Sequence, residues 1–164
     1  MNFLDISLVF SALFCTLVTG FILLYALVVM PGFARLNDRE FIRAFQVTDG
    51  IIQANQPFFL MIWIGSIVSV IFVMISSILM LEQTVAHLIV CVCVVYLLGV
   101  QGITMVIHLP LNNRIRKLDI KKLDDQIVAE TRLNFEKKWN RFNNIRTFVG
   151  FLVSLSFIIV VMIR

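Results

Sequence analysis

An all-α integral membrane fold, a four-helix up-down bundle, follows from three observations on this chain. Four stretches, Ile6–Ala34, Gly50–Leu81, Gln83–Asn113 and Thr147–Ile163, contain no Lys, Arg, Asp or Glu. Hydrophobic residues make up 60% of the 164 and charged residues only 15%, and the mean hydropathy is +0.95, more apolar than a soluble core requires. The charges that remain gather between the stretches. A bilayer core of about 30 Å needs roughly 20 apolar residues of helix, about 17 at the least, so each stretch is long enough to cross. Four crossings use most of the chain, which predicts a single domain over 1–164 with no soluble catalytic module.

Span one is expected over about 8–30. Asp5 is the only early charge and no basic n-region precedes the apolar run, so the segment reads as a retained span and not as a cleavable signal. Met30-Pro31-Gly32 reads as its stop, because Pro and Gly both resist continued helix. Asn37-Asp38-Arg39-Glu40 then resembles a capping box, and Phe41, Phe45 and Ile52 recur on one side, predicting a short interfacial helix. Span two, about 57–81, opens at Asn55-Gln56-Pro57, with Asn55 as N-cap and Pro57 in the first turn. Span three, about 84–107, follows after a tight turn at Glu82-Gln83, so the two form a hairpin; Pro110 should kink what comes next. Span four, about 145–163, continues a helix that begins outside the bilayer. Val128, Phe135, Trp139 and Phe142 recur at helical spacing up to Arg146, so 125–163 reads as one long helix whose first half is an amphipathic cytoplasmic connection.

Charge fixes the expected orientation. The first connection, 31–56, holds Arg35, Arg39 and Arg43, and the third, 108–146, holds ten Lys and Arg from Arg114 to Arg146. Only Arg164 lies at the opposite side. By the positive-inside rule the chain is a multi-pass cell-membrane protein with both basic connections cytoplasmic and both termini outside. The net charge of +4 is no nucleic-acid footprint, because Asp119, Asp124, Asp125, Glu130 and Glu136 interrupt the basic run; anionic membrane lipids are the expected partner. Cys15, Cys91 and Cys93 fall inside spans, and the last two point to nearly opposite helix faces, so they read as packing residues. A homo-oligomer is left open.

Polar residues converge on the cytoplasmic edge. Gln46, Asp49, Gln53 and Asn55 lead into span two, Gln101, His108, Asn112 and Asn113 close span three, and Trp139, Asn143 and Arg146 enter span four. Spacings of four and three put 139, 143 and 146 on one helix face. Polar groups at membrane depth are costly and usually face a bundle interior or a wet cavity. Each also has a plain alternative: Asn55, Asn112 and Asn113 as caps, Trp139 as an interfacial belt residue, Arg146 as a snorkelling anchor. Thr147–Ile163 spans about 25 Å at about 1.5 Å per residue, so Arg146 must lie near the membrane boundary. Turned inward, it is expected to bond Asn112 or Asp49. No metal site is expected: His87 and His108 lie about 30 Å apart along a helix, and no Glu-x-x-His or paired carboxylates occur within the spans.

Four runs carry a family resemblance: Val29-Met30-Pro31-Gly32-Phe33-Ala34-Arg35-Leu36, Asn55-Gln56-Pro57-Phe58-Phe59, Leu109-Pro110-Leu111-Asn112-Asn113-Arg114-Ile115, and Trp139-Asn140-Arg141-Phe142-Asn143-Asn144-Ile145-Arg146-Thr147. In this order the chain resembles the anthrone-oxygenase-like family of small membrane proteins, much of it described only as a domain of unknown function. The resemblance implies oxidation of anthrones to anthraquinones with molecular oxygen and no cofactor. The chain departs from the family pattern at Asp49, where an Asn is expected, and at His108, where many relatives carry Asn or another polar residue.

Two functions compete. The first is a cofactor-independent oxygenase acting on a lipophilic, anthrone-like aromatic, with O2 as co-substrate. His108 would be the general base and Asp49 its rival. Arg146, with Asn112 and Asn143, would hold the developing oxyanion. Trp139 would stack on the ring system, with Asn55 and Gln101 completing the substrate contacts. The second is a non-enzymatic bundle that binds a lipid or quinone, or an accessory subunit of a membrane complex, docked through the basic third connection and the helix at 37–50. A transporter fits poorly, since no inverted repeat or broken helix pair is present.

Overall fold

The computed structural model describes residues 2–54 and 56–164. Its described residues are helical with no strand, and four helices are long and apolar enough to cross a membrane. In chain order they are α1 (Phe3–Leu24), extended through a π-helical turn (Tyr25–Val29) into the short α2 (Met30–Phe33); the outlying α3 (Asp38–Gln53); α4 (Pro57–Met80); α5 (Gln83–Tyr96), extended through two π segments (Leu97–Gly102 and Thr104–His108) into α6 (Leu109–Arg116); and α7 (Asp125–Ile163).

The long helices pack in a ring: α1 on α4 and α7, α4 on α5, and α5 on α7. Neighbours run antiparallel, because partner numbers fall on one helix as they rise on the next. Phe3 meets Phe72 while Phe21 meets Phe59, and Thr19 bonds Ser154 while Asn143 bonds Ile22. Asp5 and Arg164 close the same seam at one end. The outward faces carry exposed Phe, Leu, Ile and Val along each span, the surface that lipid covers in a membrane protein.

Between the helices, small residues set the distance, as expected where lipid competes equally for apolar side chains. Ser7 and Ser11 on α1, and Ser66, Ser69, Ser76 and Ser77 on α4, are all buried. Gly150 is the tightest such point: a Cβ there would stand 2.6 Å from the Thr19 Oγ1 that bonds Ser154. Gly150→Val is therefore expected to cost about 2 kcal/mol, within the range for overpacking. A shifted midpoint in detergent unfolding would measure it; an unchanged midpoint would mean that the α1–α7 seam is loose.

Both prolines were expected to stop or kink their helices, and neither ends one. Span one runs on through Pro31 to Phe33, past the expected end at 30, and span three runs on through Pro110 to Arg116, past 107. The physical reason is the same in both. A proline lacks the N–H for an i→i−4 bond and its ring strikes the i−4 carbonyl. A π segment ends two residues ahead of each, Tyr25–Val29 before Pro31 and Thr104–His108 before Pro110. The wider i→i−5 turn moves the offending carbonyl aside, and such turns recur at functional sites.

The end of the molecule that carries the basic connections is tied by charge to backbone. Asn37 and Glu40 form the expected capping box of α3. Arg39 bonds the Ile120 and Leu123 carbonyls and pairs with Asp125. Arg132, on the outlying half of α7, bonds the Ala34 and Leu36 carbonyls and pairs with Asp38 and Glu136. The apolar face of α3 was expected along the membrane interface; Phe41 and Phe45 instead pack edge-on against Phe135 of α7, at 6.4 and 4.6 Å. The 39-residue α7 is thus braced by α3, which roofs the cavity beneath it.

Candidate functional site

Where α3 meets the four long helices lies a cavity of about 450 Å³, within the size range of small-molecule sites. Six aromatic side chains line it, alongside as many aliphatic ones: Phe21 and Tyr25 from α1 and its π turn, Phe45 from α3, Phe59 and Trp63 from α4, and Trp139 from α7. Tyr25 and Trp139 approach to 5.6 Å between ring centroids, and Phe59 stacks on Trp63 at 5.2 Å. Such a set of flat, rigid surfaces suits a fused-ring guest at low entropic cost.

Polar side chains interrupt these walls. His108, on the second π segment, is 2% exposed and sits edge-on to Trp139 at 4.9 Å. Neither of its ring nitrogens has a hydrogen-bond partner among the described residues. A buried imidazole so placed costs free energy unless something else meets it, and the His108 side chain is part of the cavity wall.

Arg146 turns inward, 5% exposed. Its partners are not the expected Asn112 and Asp49. Nε and Nη2 both donate to Asn143 Oδ1, at 3.0 and 2.9 Å, and Nη1 donates to Thr104 Oγ1 at 3.0 Å. The reason is proximity along one helix, since Asn143 is a single turn away, whereas Asn112 is held by other groups. Three of the five guanidinium N–H bonds are thus used, two stay free beside the cavity, and no carboxylate pairs with the charge among the described residues. A buried cation without a counter-ion is costly; an anionic guest would supply the missing partner.

Asp49, Asn112 and Trp139 form a connected chain. Trp139 Nε1 donates to Asn112 Oδ1 at 3.0 Å, and Asn112 Nδ2 donates to Asp49 Oδ1 at 2.7 Å; Gln53 donates to the other carboxylate oxygen. Burial pushes the Asp49 carboxyl above the ordinary carboxylate range, against the opposing pull of its hydrogen bonds from Gln53 and Asn112 and of the Arg116 charge. The sign follows: the native state holds the proton more tightly than the unfolded one, so Asp49 lowers stability as pH rises from the ordinary carboxylate range through the raised value. Asp49→Asn is expected to flatten that part of the stability profile relative to wild type, read from thermal melts between acid and neutral pH. A variant profile parallel to wild type would contradict this.

Of the other residues expected at the site, Gln101 and Asn143 do not line the cavity; they stand behind its wall. Gln101 donates to Tyr96 Oη at 3.0 Å and Ser66 Oγ at 3.2 Å. Asn143 donates to the Ile22 carbonyl at 3.1 Å, one turn before the π turn of span one, and so holds Arg146 in place instead of offering a donor to a guest. Asn55 lies outside the described residues, and the N-cap of α4 is Gln56, which accepts from the Phe59 N–H. Gln46 ties α3 to the Ile115 and Leu118 carbonyls. Sequence reasoning missed Tyr25, Thr104 and the Phe21–Phe59–Trp63 wall. Thr104 was within reach, since 101, 104 and 108 share a helical spacing.

The family described as anthrone oxygenase matches residues 53–156, which takes in α4 to α6 and most of α7 and with them Trp63, Thr104, His108, Asn112, Trp139 and Arg146. No curated protein and no solved structure matches the chain.

Proposed function

This chain belongs to the anthrone oxygenase family, and we propose that it oxidises a lipophilic, anthrone-like aromatic with O2 in the cavity between α3 and the four spans. The observation that carries this reading is that His108, whose ring nitrogens have no hydrogen-bond partner among the described residues, and Arg146, with two free N–H groups and no carboxylate partner among them, line one cavity with six aromatic side chains.

The chemistry divides among these side chains. An anthrone has a methylene whose deprotonation delocalises charge onto the ketone oxygen. An unpartnered nitrogen of His108 takes the proton. Arg146 meets the oxyanion with its free N–H groups, the more strongly the less water reaches the site. Phe59, Trp63 and Trp139 hold the flat anion. The carbanion carbon gives its electrons to O2 and forms a carbon–oxygen bond; the peroxide takes a proton from the imidazolium. Loss of the second methylene hydrogen and cleavage of the O–O bond leave a carbonyl and one water. One O2 is consumed per substrate, one oxygen entering the quinone and one leaving as water.

In this reading the basic connections face the cytoplasm, in the cell membrane. Protein reconstituted in vesicles and supplied with anthrone should take up O2 in a one-to-one ratio with quinone formed. Uptake no faster than that of empty vesicles would overturn the proposal and leave a binding bundle as the better reading.

A further inference from the structure

We propose that the cavity is filled sideways from the bilayer, through a gap between α4 and the Thr104–His108 segment, by an uncharged planar aromatic dissolved in the hydrocarbon. The choice of guest rests on the oxygenase reading; the gap rests on geometry alone. α4 packs along α5 away from their short turn and still meets the first π segment at the Gln101–Ser66 bond, but that packing thins along Thr104–His108. The third span is rewound where it parts from α4.

The residues at that parting both line the cavity and show on the outer surface. Ile64 of α4 is 54% exposed, Met105 is 55% exposed and Leu109 44%. A side chain that is at once cavity lining and half exposed stands at a mouth. All three sit on helices long and apolar enough to cross a membrane, and a rim of Ile, Met and Leu suits lipid as the medium outside the mouth. The mouth carries no charge, while Asp49, His108 and Arg146 are buried at the back.

That order of surfaces selects the guest. A charged amphiphile would have to draw its head through an apolar rim, which is costly at membrane depth. A flexible acyl chain would lose rotational freedom in a rigid aromatic slot, a loss that a preorganised ring system avoids. A flat, uncharged ring system enters edge first and meets Arg146 and His108 last, where it ionises.

The chain's two tryptophans, Trp63 and Trp139, both line the cavity, so their fluorescence reads its occupancy directly. Anthraquinone added to protein in phosphatidylcholine vesicles should quench them in proportion to its mole fraction in the bilayer when the lipid content is varied. The double variant Ile64→Phe with Met105→Phe should slow the approach to quenching about tenfold or more, within the span over which on-rates respond to changes at one interface, with its helical circular dichroism kept. Quenching that follows the aqueous concentration, an unchanged rate in the double variant, or no quenching would overturn lateral entry. Lateral quenching without O2 uptake would keep the gap and sink the oxygenase reading. Uptake with an unslowed double variant would do the reverse.

Discussion

Arg146→Lys is expected to lose about 2–3 kcal/mol of stability and about a hundredfold in turnover. The charge is kept, so a mere topology or headgroup anchor would tolerate the change. The guanidinium, however, bridges Asn143 and Thr104 through three bonds in a planar fork, and an ammonium on a flexible stem cannot reproduce the fork. Hydrogen bonds to charged groups contribute about 1.5–3 kcal/mol each, and Lys retains at best one of the two partners. The effect on turnover follows from the lost oxyanion donors, each worth about a hundredfold or more. A detergent melt and an anthrone turnover assay check the two halves separately. Wild-type values in both would reduce Arg146 to an anchor.

His108→Phe should separate activity from stability in the opposite sense. Phenylalanine keeps the ring against Trp139 and removes two buried nitrogens that have no partner. Removing an unsatisfied buried polar group stabilises by about 1 kcal/mol or more, while loss of a general base costs about 10²–10⁴ in rate. The expected variant is therefore at least as stable as wild type, still binds anthraquinone, and turns over at the background rate. Loss of stability together with full activity would show that His108 is a packing residue and that another group, Asp49 first, takes the proton.

Much of this architecture is legible in the sequence because membrane thickness imposes a length rule that charge-free runs must satisfy. The four spans, the α3 capping box at Asn37 and Glu40, and the continuous helix from Asp125 to Ile163 all follow from local patterns. The shared face of Trp139, Asn143 and Arg146 follows from spacing alone, and all three are buried. What is not legible is the helical register. Pro31 and Pro110 read as breaks, since nothing in the letters Tyr25–Val29 or Thr104–His108 announces a switch from i→i−4 to i→i−5 bonding; the switch answers a steric demand two residues later.

Partner choice was equally hidden. Arg146 could have reached Asn112 or Asp49 as far as spacing says, but Asn112 is already engaged at both ends, by Trp139 and Asp49. Gln101 and Asn143 look like site residues because they are polar at membrane depth, yet both serve neighbouring helices. Tyr25 and Trp63 drew no notice, because an aromatic inside an apolar run carries no periodic signature of the cavity it lines.

The proposed reaction inserts one atom of O2 into a bound anthrone by base-assisted attack of the ring carbanion. Turnover under ¹⁸O2 in reconstituted vesicles, with mass analysis of the quinone, tests it most directly. One labelled oxygen in the quinone, a second in water, and loss of the labelled product with His108→Phe are the expected results. Unlabelled quinone, or labelled quinone formed no faster than in empty vesicles, would contradict it.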